Sequence, residues 1–176
     1  MIIDSSSLII FAKTNRLDLL ARLYRNIEIT KEIYNESVEE GMKINAPDAK
    51  IIKKFFEDGK IIILPLNEKY ESFSRSLINT YNIESGESDA ISLSIQESRK
   101  TLVIDESLGR EVAKLHRLKP KGSLRIILEA YSKNLITEKE IKVLISEMIK
   151  NKFRVGGDVM NEFWNIFEII KRNKSR

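Results

Sequence analysis

The chain of 176 residues has no cysteine and a single histidine, His116. The first absence excludes disulfides and thiolate metal sites, which suits a cytoplasmic protein. The second excludes a multi-histidine metal centre and weakens any histidine-based catalytic triad. Long hydrophobic runs are missing too. The longest, residues 8–12 and 61–64, fall far short of the roughly 20 residues that span a bilayer, so no membrane association is expected. The first residues read as a buried strand without a basic leader, so no signal peptide is expected. Neither sign of charge dominates: 30 basic against 26 acidic residues give a formal net charge of +4. That balance does not by itself imply nucleic acid, but it leaves room for an acidic pocket on a basic body. There is no internal repeat, no low-complexity linker and no glycine-rich phosphate loop, since Gly156-Gly157 follows no strand. Ser5, Ser6 and Ser7 lack both a nearby histidine and a nucleophile elbow.

What the chain does have is a sizeable apolar fraction, 42%, beside 32% charged residues. The length gives one domain, read as an α/β core over residues 1–120 with a helical C-terminal extension over 121–176 packed on it. Short apolar runs alternate with helical patterns. Ile2-Ile3, Ile27-Glu28-Ile29, residues 61–64 and residues 101–104 read as strands, with 61–64 the cleanest buried one. Thr30 can cap a helix carrying Ile33, Tyr34 and Val38, which Gly41 ends. Asn45-Ala46-Pro47 opens another helix, closed by Gly59. Residues 68–81 form a polar helix, and Ser85-Gly86 opens an apolar one. After Pro120 the pattern turns all-helical: 123–133, a helix opened by the Thr137–Glu140 capping box, and a third capped by Asp158. Phe163, Trp164 and Phe167 form a stripe there that is either core or a surface for a homodimer or other partner. The basic tail, 171–176, is expected to fray. The fold class is a three-layer α/β/α sandwich with a central parallel sheet.

Two strands run straight into an acid and a small polar cluster: Ile2-Ile3-Asp4-Ser5-Ser6 and Val103-Ile104-Asp105-Glu106-Ser107. Open α/β sheets build their sites at such strand exits. Each aspartate is either a helix cap or a metal ligand. As ligands they must leave neighbouring strands. Glu36 lies in a segment that also holds Glu32, Glu39 and Glu40, so it belongs to a solvated acidic face or to a site. Glu87 and Asp89 occupy a first helical turn, where the helix dipole alone favours acids. Carboxylates without His or Cys select hard cations, Mg²⁺ or Mn²⁺. His116 reads as a helix-end residue. Arg110, Lys114 and Arg117 are either phosphate contacts or a solvated face.

Four blocks together resemble the PIN-domain family, the fold of VapC-type ribonuclease toxins, and within it an archaeal and bacterial branch of unknown function with a GE-x-x-A-I motif. They are Ile2-Ile3-Asp4-Ser5-Ser6-Ser7-Leu8-Ile9, Ile29-Thr30-Lys31-Glu32-Ile33-Tyr34-Asn35-Glu36, Gly86-Glu87-Ser88-Asp89-Ala90-Ile91, and Leu102-Val103-Ile104-Asp105-Glu106-Ser107-Leu108-Gly109-Arg110. The resemblance runs from residue 1 to about 150. It implies that Asp4, Glu36, Glu87 and Asp105 hold Mg²⁺ or Mn²⁺ and hydrolyse RNA, with Ser6 positioning the first acid and Asp89 as alternate to Glu87. It further implies a toxin with a cognate antitoxin, or else a catalytically silent scaffold that binds RNA or protein. Two positions depart from the branch: Thr30 stands where proline is common, and Lys121-Gly122-Ser123-Leu124-Arg125 replaces a glycine-rich motif.

Overall fold

A computed structural model describes residues 1–174. Five parallel strands make one sheet in the order β3-β2-β1-β4-β5. They are β1 (Ile2–Ile3), β2 (Ile27–Ile29), β3 (Ile61–Ile63), β4 (Thr101–Val103) and β5 (Lys119–Lys121). The central strands bury both faces: Ile2, Ile3, Ile27, Ile29, Leu102 and Val103 are all essentially inaccessible. Such two-sided burial requires helices above and below the sheet.

Those helices are α1 (Ser5–Lys13), α2 (Leu17–Tyr24), α3 (Lys31–Tyr34), α4 (Glu40–Lys43), α5 (Pro47–Glu57), α6 (Glu68–Tyr81), α7 (Ser85–Gln96), α8 (Ser107–Leu115), α9 (Ser123–Ser132), α10 (Glu138–Lys150) and α11 (Gly157–Lys174). A π-helical turn, Asn35–Glu39, joins α3 to α4. Helix α7 packs on β1 and β4 with α1, α3 and α6 beside it, while α2 packs on β2 and meets α9, which carries α11. The result is the α/β/α sandwich with a wholly parallel sheet.

Several local expectations need correction. Residues 61–64 are not the cleanest buried strand: β3 is an edge, and Ile62 and Ile63 are half exposed. The chain after Pro120 is not all-helical at once, because Lys119–Lys121 pairs with β4 as the opposite edge. Two lysines around a proline carry no strand signal, yet proline is tolerated on an edge, where its missing N–H interrupts no ladder. Gly41 does not end its helix. It sits inside α4, where a Cβ would meet that of Ala49 at 2.6 Å, so it permits close packing against α5. Asp158 lies within the first turn of α11 rather than capping it.

The aromatic stripe of α11 is largely core. Phe163 and Phe167 are buried, and Phe167 stacks on Tyr131 with ring centroids 4.8 Å apart. The expected fraying does not hold for residues 171–174: α11 runs to Lys174, whose Nζ donates to the Tyr131 carbonyl at 2.7 Å. The last two residues of that tail lie outside the described residues. Among the described residues, no helix is long and apolar enough to cross a membrane.

Candidate active site

Asp4 and Asp105 leave adjacent strands. β1 and β4 pair in parallel with Ile2 opposite Leu102 and Ile3 opposite Val103, and the Asp4 amide donates to the Val103 carbonyl at 3.1 Å. Asp4 is the N-cap of α1: its Oδ1 accepts from the Ser7 amide at 3.0 Å and its Oδ2 from Ser6 Oγ at 2.8 Å. Ser7 then turns its hydroxyl the other way and donates to Asp105 Oδ2 at 2.9 Å. One serine thus holds both aspartates, the first by its backbone and the second by its side chain. Asp105 is half-buried and also accepts from the Ser123 amide at 2.7 Å and from Ser123 Oγ at 2.5 Å. Ser123 opens α9, so the C-terminal helices help build the site.

Glu36 lies on the π-helical turn, half-buried, while Glu32, Glu39 and Glu40 are exposed. It accepts from Ser85 Oγ at 2.5 Å. A Cβ at Gly86 would meet Glu36 Oε2 at 2.5 Å and Ser5 Oγ at 2.6 Å, so that glycine lets α7 approach both α1 and Glu36. Glu87 is buried. Its Oε2 accepts from the Glu84 amide at 3.1 Å in a capping box, and its Oε1 is buried without a hydrogen-bond partner. A Cβ at Gly109 would overlap that Oε1. The glycines of the third and fourth blocks therefore make room for carboxylates.

Asp89 goes elsewhere. It accepts from Thr30 Oγ1 at 2.7 Å and from Ser74 Oγ at 2.6 Å. Thr30 is in turn the N-cap of α3, accepting from the Ile33 amide. Asp89 so braces the helix leading to Glu36, and its two oxygens are engaged away from the other acids. The hydroxyl of Thr30 is what makes this brace possible.

The electrostatics are those of acids held chiefly by hydroxyls and amides, with Arg110 the cation near Asp105. Desolvation raises Asp4 to about 7, with repulsion from Asp105 adding to it and the Ser7 and Ser6 hydrogen bonds opposing it. Burial also raises Asp105, against the Ser123 and Ser7 hydrogen bonds and the nearby Arg110 charge. Glu87 is raised chiefly by burial, with Glu84, Glu106 and Glu36 contributing repulsion.

The donor chemistry fits a hard divalent cation, for it consists only of carboxylate and hydroxyl oxygens. The unpartnered Glu87 oxygen and the space kept at Gly86 and Gly109 agree with that. Among the described residues, no three His, Cys, Asp or Glu side chains converge into a ready cage. Mg²⁺ does not require one, since it commonly keeps several waters and takes one or two carboxylates. Asp4 and Asp105 are such a pair.

Arg110 follows Asp105 by one helical turn and lines, with Ser6 and Asp105, a cleft of about 730 Å³. Its Nε is buried and unpartnered. Lys114 and Arg117 do not line that cleft. His116 caps the C-terminus of α8 and meets the Phe73 ring edge-on. Sequence reasoning missed Ser7, Ser85 and Ser123 as positioning residues. The triple serine after Asp4 was visible, but only the fold shows which hydroxyl turns to the second strand.

A family model described as a PIN domain matches residues 1–168. Comparison with curated proteins and with solved structures gave no match. With its parallel sheet, its acids at adjacent strand exits and a family match over nearly its whole length, the chain belongs to the PIN-domain family, a nuclease-type fold.

Proposed function

We propose that this PIN-domain protein is a Mg²⁺- or Mn²⁺-dependent endoribonuclease of the cytoplasm, the toxin of a toxin–antitoxin pair. The observation that carries the reading is the serine-bridged pair Asp4 and Asp105 on adjacent strands, held by hydroxyl and amide donors and, among the described residues, in no salt bridge. Asp4 and Asp105 would hold the metal, with Glu36 and Glu87 completing its surroundings. When bound, the ion supplies an activated water and neutralises charge on the phosphodiester. The chain's own residues do the rest. Ser6, Ser7 and Ser123 fix the rotamers of the two aspartates. Glu87 Oε1, buried and uncommitted, is available to take a proton. Arg110 faces the phosphate from the wall beside Asp105.

The rival reading, a silent scaffold that binds RNA or protein, draws on the lack of a preformed three-acid cage among the described residues. One experiment separates the two. RNA is incubated with the protein in Mn²⁺ and with its Asp4→Asn variant, alongside a Mn²⁺ titration of each. The expected result is Mn²⁺-dependent cleavage reduced at least about 100-fold in the variant, with weaker Mn²⁺ binding. Equal cleavage by both would sink the assignment of Asp4. No cleavage and no Mn²⁺ binding by either would favour the scaffold.

A further inference from the structure

The cleft beside the acids has an outer wall from an unexpected part of the chain. Residues 151–156 link α10 to α11 and line the cleft together with Ser6 and Arg110. The link alternates. Phe153 and Val155 turn inward and pack against the core, whereas Lys152 and Arg154 are exposed. Lys13, at the end of α1, joins them in the lining and is also exposed. Among the described residues, none of these three cations makes a salt bridge or a side-chain hydrogen bond. With Arg110 they set four positive charges against Asp105 and Glu106 in the same cleft. Apolar side chains such as Ile9 and Val159 line the same cleft.

Cations in no salt bridge among the described residues, ranged beside a pair of acids, are placed for a polyanion whose backbone passes the acids. The apolar lining selects its form. A single strand exposes base faces that rest on apolar surface, whereas a duplex hides them. We propose that Lys13, Lys152 and Arg154 hold the phosphates of a single-stranded RNA on the side of the acidic site walled by residues 151–156. The C-terminal helices would then be part of the substrate site. This rests on the ribonuclease reading given above.

The test is the salt dependence of binding to a single-stranded RNA oligonucleotide, measured in EDTA with the full chain. The triple variant Lys13→Gln/Lys152→Gln/Arg154→Gln is compared with a control triple on α5, Lys50→Gln/Lys53→Gln/Lys54→Gln, also at exposed positions. At about 0.7 counterions per phosphate contact, three lost contacts flatten the slope of log K against log salt by about 2. The same arithmetic weakens binding about 100-fold at 0.1 M salt. The control triple should move neither value appreciably, because those lysines do not line the cleft and make no contact with an RNA held there. An unchanged slope in the cleft variant would overturn the proposal, and so would an equal change in the control. Displacement of the RNA by polyglutamate of matched charge, with equal potency, would assign the wall to an acidic protein partner instead and also overturn it. Cleavage in Mn²⁺ by the unaltered protein keeps the two ideas apart. Cleavage with an unchanged slope removes only the wall. The expected slope change without cleavage supports the wall and removes the hydrolysis.

Discussion

Two groups of acids in this molecule are buried in opposite ways. Glu129, on α9, accepts from Lys121 Nζ at 2.6 Å and from the Tyr24 hydroxyl at 2.8 Å, with Lys133 Nζ at 3.6 Å. Burial pushes its carboxyl up, but Lys121, Tyr24 and Lys133 together hold it below the ordinary value. Asp4 and Asp105 have hydroxyls and amides where Glu129 has ammonium groups, and both lie above the ordinary value. Half-buried Glu129 carries its own cations. A carboxylate left with neutral donors, as Asp4 is, has its charged form destabilised by burial.

The sharpest way to break this comparison is to remove the charge of Asp4 in metal-free protein. Asn at position 4 keeps the cap and the volume. The sign follows from the raised value. Asp4 contributes stability below its unfolded value of 3.8 that is lost as pH rises to about 7. Asp4→Asn should therefore match the parent near pH 4 and exceed it by on the order of 3 kcal/mol near pH 8, in chelator, by urea unfolding. A variant less stable than the parent at pH 8 would mean that the carboxylate is already compensated.

The next effect concerns space rather than charge. Gly109→Ala places a methyl group against Glu87 Oε1. It should cost about 2 kcal/mol in thermal or urea unfolding and displace Glu87, lowering Mn²⁺ affinity in calorimetric titration. Unchanged affinity would remove Glu87 from the metal's surroundings.

The smallest effect falls on the contrasting group. Lys121→Met should cost about 1 kcal/mol at pH 7 by losing a charged hydrogen bond. Glu129 lies below its unfolded value, so its contribution is present above 4.5 and lost as pH falls through the folded value. The deficit of Lys121→Met should thus shrink in acid, as the Asp4→Asn gain does, so that the two stability differences separate with opposite sign as pH rises. Parallel pH profiles for the two variants would erase the distinction between paired and unpaired acids.

Much of this was legible from residue order. Strand runs ending in Asp4 and Asp105 marked the sheet and its exits because apolar runs beside helical spacing admit few other readings. The Thr30 cap, the Thr137 capping box and the boundaries of α6 came from local chemistry that the fold leaves intact. β5 was not legible, since Lys-Pro-Lys becomes a strand only through the edge of β4. Nor was the division of labour between Glu87 and Asp89. Two residues apart on one helix, they point in different directions, and only the packing of α3, α6 and α8 decides which is braced and which is left open.

The sequence by itself determined the parallel α/β class, the acid at each strand exit and the carboxylate and hydroxyl chemistry around it, because these depend on residue type and short-range periodicity. Only the tertiary structure decided that β1 lies beside β4, that Ser7 joins two aspartates just over a hundred residues apart, and that a link after α10 walls the cleft. Those are long-range contacts, set by which buried surfaces meet when the sheet closes over its helices.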